Sequence, residues 1–140
     1  MKEYRALLIG DTGVGKDSIL DRLIDNTTYQ TISTIGVSFR VRYYPNAKIS
    51  FWNTGGQKRY LDIIKRYFRN IDAVIIVYDS SSQKSFENCK FWLNYFRTNE
   101  EPSKHAKIYI LGNKIDLLSN FSAHEEILKL YAKSENIQRF

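Results

Sequence analysis

With 140 residues, 43% of them hydrophobic and 26% charged, the chain fits one globular domain with a single core and is too short for two ordinary domains. Its net charge of +6 is scattered, with no block of five or six Lys or Arg, which argues against nucleic-acid binding. The single cysteine, Cys89, excludes an internal disulfide, "MKEYRALLIG" is too weakly apolar for a signal peptide, and no run approaches the roughly 18 residues of a membrane span, so the expectation is a cytoplasmic protein.

"YRALLIG" (4–10) reads as a buried strand entering a glycine loop, and "KDSILDRLI" (16–24) as a helix with Ile19, Leu20 and Leu23 on one face. "VSFRVRY" (37–43) and "KISFW" (48–52) alternate apolar and polar residues around "YPNA", which predicts a hairpin with one wet face on each strand. "AVIIVYD" (73–79) and "KIYILGN" (107–113) lack alternation, as strands covered on both faces do. Between them Phe86, Cys89, Leu93 and Phe96 recur at helical spacing. Ser122 and Glu125 form a capping box for a last helix whose inner face is Ile127, Leu130 and Tyr131. Strands alternating with helices in this order imply an α/β fold, an open and mostly parallel sheet with helices on both faces. Ligands of such a sheet bind at the carboxyl ends of its strands.

Two motifs fall at that end. In "GDTGVGKDS" (10–18) the glycines let backbone N–H groups turn inward around a phosphate while the helix presents its positive end. The candidate cradle is Asp11, Thr12, Gly13, Val14, Gly15, Lys16, Asp17 and Ser18, with Lys16 reaching the β- and γ-phosphates. The pattern G-x-x-x-x-G-K-[ST] asks for a magnesium-binding hydroxyl after the lysine, and Asp17 stands there instead. In "NKID" (113–116), Asp116 can accept two hydrogen bonds from guanine N1 and N2, which adenine does not supply. Lys114 can lay its stem over the base, and Asn113 begins the motif.

These blocks, with "STIGVSF" (33–39), "ISFWNTGGQKRY" (49–60) and "RYFRNIDAVIIVYD" (66–79), resemble the Rab family within the Ras superfamily of small GTPases, over most of residues 4 to 118. The resemblance implies a vesicle-trafficking molecular switch that binds GDP or GTP with magnesium. It implies that Thr34 ligates magnesium and senses the γ-phosphate, that the Gly56 N–H binds that phosphate, and that Gln57 orients the attacking water, so that Gln57, Lys16 and Thr34 form the catalytic set. It further implies effectors and regulators meeting the Thr34–Phe39 and Asn53–Tyr67 segments, with Phe39, Trp52 and Tyr67 as an aromatic triad. Plain core packing is the other reading of those aromatics.

The departures cluster around the γ-phosphate. Asp17 replaces the hydroxyl, Asn53 replaces the aspartate of the family's D-x-x-G, Gly55 replaces an alanine, and the segment before Thr34 is about one residue short. A carboxylate has exchanged places with a neutral group, which leaves the protein charge offered to the metal unchanged. The expectation is therefore that Asp17 is a direct magnesium ligand, with Asn53 bonding to a metal-bound water, in a site that hydrolyses GTP slowly. The opposing reading is decay to a pseudo-GTPase interaction module with weak nucleotide or metal binding; a P-loop kinase or ATPase fits "NKID" and Gln57 poorly. After "NIQRF" the family continues with a final strand, a closing helix and a prenylated tail. The expectation from this sequence is a sheet lacking that strand and helix, no lipid anchor, and low stability or self-association through the exposed sheet edge.

Overall fold

The computed structural model of the protein describes residues 2–23, 29–32, 37–99, 106–113 and 138–139. Strand β1 (Lys2–Ile9) lies between two parallel neighbours, β4 (Ala47–Asn53) and β5 (Ala73–Asp79). Its second half is fully buried because alternate side chains enter different cores. Leu7 and Ile9 join a cluster with Phe68, Trp92, Phe96 and Ile110, while Ala6 and Leu8 meet Val14, Leu20, Phe51 and Val77. A continuous apolar run is what a strand with two covered faces requires.

The sheet order is β2 (Tyr29–Ile32), β3 (Val37–Tyr44), β4, β1, β5, β6 (Lys107–Asn113) and β7 (Gln138–Arg139). The predicted hairpin is β3 (Val37–Tyr44) and β4, joined by Pro45 and Asn46, with Phe39 opposite Trp52 and Ser38 opposite Asn53. The expected wet face of β3 is only partly wet. Arg40 is 8% exposed, because it crosses to Asp21 on helix α1 (Lys16–Leu23) and forms an ion pair there. A long side chain can bury its stem when its head finds a carboxylate.

Strand β6 (Lys107–Asn113) continues the parallel sheet beside β5. Two strands were not read from the sequence. Strand β2 (Tyr29–Ile32) pairs antiparallel with β3, and β7 (Gln138–Arg139) pairs parallel with Tyr109 and Ile110. The expectation that the sheet stops at residues 107–113 is corrected to that extent: a two-residue strand carries no periodicity, and only its partner defines it.

The single helical stripe expected over 86–96 is two helices, α3 (Gln83–Glu87) and α4 (Cys89–Asn99), with Asn88 between them. Ser82 caps α3 by accepting the Ser85 backbone N–H at 3.2 Å. A short α2 (Leu61–Ile64) with 3₁₀ turns on either side connects β4 to β5. The capping box at Ser122 and Glu125 and the inward residues Ile127, Leu130 and Tyr131 lie outside the described residues. None of the described helices is long and apolar enough to cross a membrane.

Candidate functional site

Strands β1, β4, β5 and β6 run parallel, so their carboxyl ends, Ile9, Asn53, Asp79 and Asn113, lie at one end of the sheet. The glycine loop follows β1 and opens α1. Gly10 has φ +150°, and a Cβ there would meet the Val77 carbonyl oxygen at 2.3 Å, so the loop leaves the sheet where only glycine fits between strands. Lys16 is 5% exposed and turns back across the loop. Its Nζ donates to the carbonyls of Gly10 at 2.9 Å and Asp11 at 2.8 Å. Burial pushes its pKa down to about 8, against the raising influence of Asp11 and Asp17.

Asp17 stands in the first turn of α1, where the helix favours a negative charge. Asn53 ends β4, 4% exposed and opposite Leu8 of β1. Its Nδ2 donates to Asp17 Oδ1 at 2.5 Å. An ionised carboxylate only accepts, so the amide nitrogen must face it and the amide oxygen must face away. That oxygen, Asn53 Oδ1, is buried without a donor among the described residues.

These residues fit a magnesium site. Asp17 presents a hard carboxylate oxygen at the start of α1, and Asn53 holds that carboxylate in place through its Nδ2. The described residues contain no group of three or more His, Cys, Asp and Glu that would hold a metal alone. A cation here would therefore share phosphate oxygens, which is the usual coordination of magnesium in nucleotide sites.

The segment after β4 lies against the loop. The Thr12 hydroxyl donates to the Gly55 carbonyl at 3.0 Å. Gly56 has φ +78°, and a Cβ on it would meet Gly10 O at 2.5 Å and Thr12 N at 2.7 Å. Gln57 is exposed, and its Oε1 accepts from Arg59 Nε at 3.1 Å. From the end of β6, Asn113 Nδ2 donates to the Val14 carbonyl at 3.0 Å, which fixes the first residue of the "NKID" segment to the glycine loop.

The structure thus brings together the glycine loop, Lys16, Asp17, Asn53, Gly56 and Asn113, while the exposed Gln57 side chain bonds to Arg59. Thr34, Lys114 and Asp116 lie outside the described residues, as does the side chain of Tyr67. Of the aromatic triad, Phe39 and Trp52 touch, with ring centroids 4.6 Å apart. Trp52 is partly buried against the main core, so its packing role is real whatever its outer edge contacts.

Sequence reasoning missed two residues at the loop. Trp92 Nε1 donates to Asp11 Oδ1 at 2.8 Å and Asn88 Nδ2 donates to Asp11 Oδ2 at 2.7 Å. Trp92 reads in the sequence as one more apolar residue of a helical stripe; its polar N–H is the signal that it needs a partner when buried.

A glycine loop that joins a buried parallel strand to a helix, with its lysine folded into the cradle, defines a P-loop nucleotide-binding protein. A family model described as Ras family matches residues 5–140. The chain belongs to the Ras family of small GTPases. It is 38% identical over 139 residues to the GTP-binding protein YPTM2 of Zea mays, covering 96% of this chain and 68% of that one. It is 37% identical over 139 residues to the GTP-binding protein ypt1 of Schizosaccharomyces pombe, again 96% of this chain and 68% of the relative. The Ras-related protein RABD2a of Arabidopsis thaliana is 37% identical over 134 residues, covering 92% of this chain and 65% of its own. This similarity is Rab-like and confirms the resemblance read from the motifs.

Proposed function

We propose that the protein is a guanine-nucleotide switch in which Asp17 and Asn53 hold magnesium in exchanged positions and GTP is hydrolysed slowly. The observation that carries this reading is the bond from Asn53 Nδ2 to Asp17 Oδ1 between residues 36 positions apart. Two unrelated losses would have no reason to leave a complementary donor and acceptor in contact.

Bound magnesium would neutralise phosphate charge and hold phosphate oxygens in place. The chain's own residues do the rest. Backbone N–H groups of residues 11–16 receive the phosphates, Lys16 exchanges its two carbonyl partners for phosphate oxygens, and Asp116 with Lys114 selects guanine. Thr34 and Gly56 sense the γ-phosphate, and Gln57 orients the attacking water. Gln57 is exposed and its acceptor engages Arg59, which agrees with slow turnover in the absence of a partner. Effectors and regulators would read the Thr34–Phe39 and Asn53–Tyr67 segments.

The test is the nucleotide content of the purified protein, extracted by denaturation and separated by ion exchange, followed by its release rate with and without EDTA. The reading expects stoichiometric GDP or GTP and release accelerated by EDTA. An empty protein, or release indifferent to EDTA, supports the pseudo-GTPase reading instead.

A further inference from the structure

The phosphate loop is fastened to a helix that no motif connects with it. Trp92, 1% exposed on α4, and Asn88, which separates α3 from α4, each donate to a different oxygen of the Asp11 carboxylate. The backbone carbonyl of the same residue accepts from Lys16. Residue 11 is therefore gripped through both its side chain and its main chain. The polarity cannot reverse, because an indole N–H only donates and a carboxylate only accepts.

A negative side chain at the second residue of a phosphate loop is adverse if it turns toward the ligand. Here both carboxylate oxygens face neutral donors from the neighbouring helical segment. Trp92 is itself immobilised by edge-to-face contacts with Phe91 at 5.1 Å and Tyr95 at 6.1 Å. Its N–H is thus a fixed point, set by the core and not by the loop.

We propose that Asn88 and Trp92 are positioning residues for nucleotide retention: by holding the Asp11 carboxylate against α4 they keep its charge off the phosphates and the loop's N–H groups aimed inward. This rests on the reading of residues 10–18 as a phosphate site.

The experiment measures release of a fluorescent GDP analogue from the wild type, Asn88→Ala, Trp92→Phe, Asp11→Asn, and Asp11→Asn combined with Trp92→Phe. Trp92→Phe keeps the ring and removes the N–H, and Asn88→Ala carries the test if the aromatic variant does not fold. Losing a bond to a charged group predicts release about tenfold faster in either single variant; the nucleotide-free protein also melts lower, so the release rate and not the melt is the readout. An Asn at residue 11 has no charge to be kept off the phosphates but still accepts from Trp92, so adding Trp92→Phe to Asp11→Asn should speed release less than Trp92→Phe does alone. Variants that melt lower but release at the wild-type rate overturn the proposal and leave the phosphate site standing. A wild type that takes up no guanine nucleotide overturns both.

Discussion

Asn53 at the end of β4 donates its side-chain N–H to the carboxylate of Asp17 in the first turn of α1, so the carboxylate belongs to the helix and the neutral group to the strand. The contact follows from register. Asn53 pairs with Leu8, two residues before the glycine loop begins, which places its side chain beside the start of α1.

This contact makes the two positions interdependent. Asn53→Asp would set two carboxylates against each other and lose the amide donor, while Asp17→Ser would leave the amide without its acceptor. Their combination restores one donor and one acceptor with the polarity reversed. We expect a coupling of about 1–3 kcal/mol in magnesium-dependent GDP affinity, with Asn53→Asp alone worse than the double variant. Additive effects would show that the two residues do not share a metal.

Guanine specificity should reside in Asp116. Asp116→Asn changes an acceptor pair into one donor and one acceptor, so the preference should move from guanine toward xanthine nucleotides. Competition binding with GDP, XDP and ADP checks this, and tight ADP binding by the wild type would contradict the assignment.

Lys16 gives nucleotide binding a pH dependence. In the nucleotide-free protein burial lowers its pKa to about 8. Phosphate favours the charged amine, so the bound form keeps its proton to higher pH. Above about pH 8 binding must therefore take up a proton, and GDP affinity should fall by up to about tenfold per pH unit; below it this group contributes no slope. Calorimetric titrations in buffers of different ionisation enthalpy read the proton uptake directly. Melting is a poorer readout. Lys16 favours folding as pH rises through that range, whereas Cys89 and Tyr95, both raised to about 12 chiefly by burial, disfavour it above their ordinary values.

Gly10 should tolerate no side chain. Its backbone lies at φ +150° with the Val77 carbonyl 2.3 Å from a Cβ, and that carbonyl belongs to a central strand that cannot shift cheaply. Gly10→Ala is expected to cost about 3 kcal/mol, a fall of roughly 10 °C in melting temperature. A change within about 2 °C would mean that β1 and β5 separate more easily than their packing indicates.

Much of this protein is legible in its sequence. The apolar runs at 6–9 and 73–79 specify strands covered on both faces, the run at 107–113 specifies a parallel strand of which Ile110 alone is fully buried, and the glycines and Lys16 specify a phosphate loop, because each signal is local and period or spacing carries it. The exchange of Asp17 and Asn53 is also visible as two wrong residues in two known motifs. What the sequence leaves open is whether they meet, and the bond between them is decided by β1–β4 register and by the start of α1. The hold of Trp92 and Asn88 on Asp11, 81 and 77 residues away, is likewise tertiary. A buried apolar stripe looks the same whether or not one of its members carries a donor to a distant carboxylate. Strands β2 and β7 belong with them, since four residues and two residues hold no period of their own and become strands only through the ladder bonds that β3 and β6 offer.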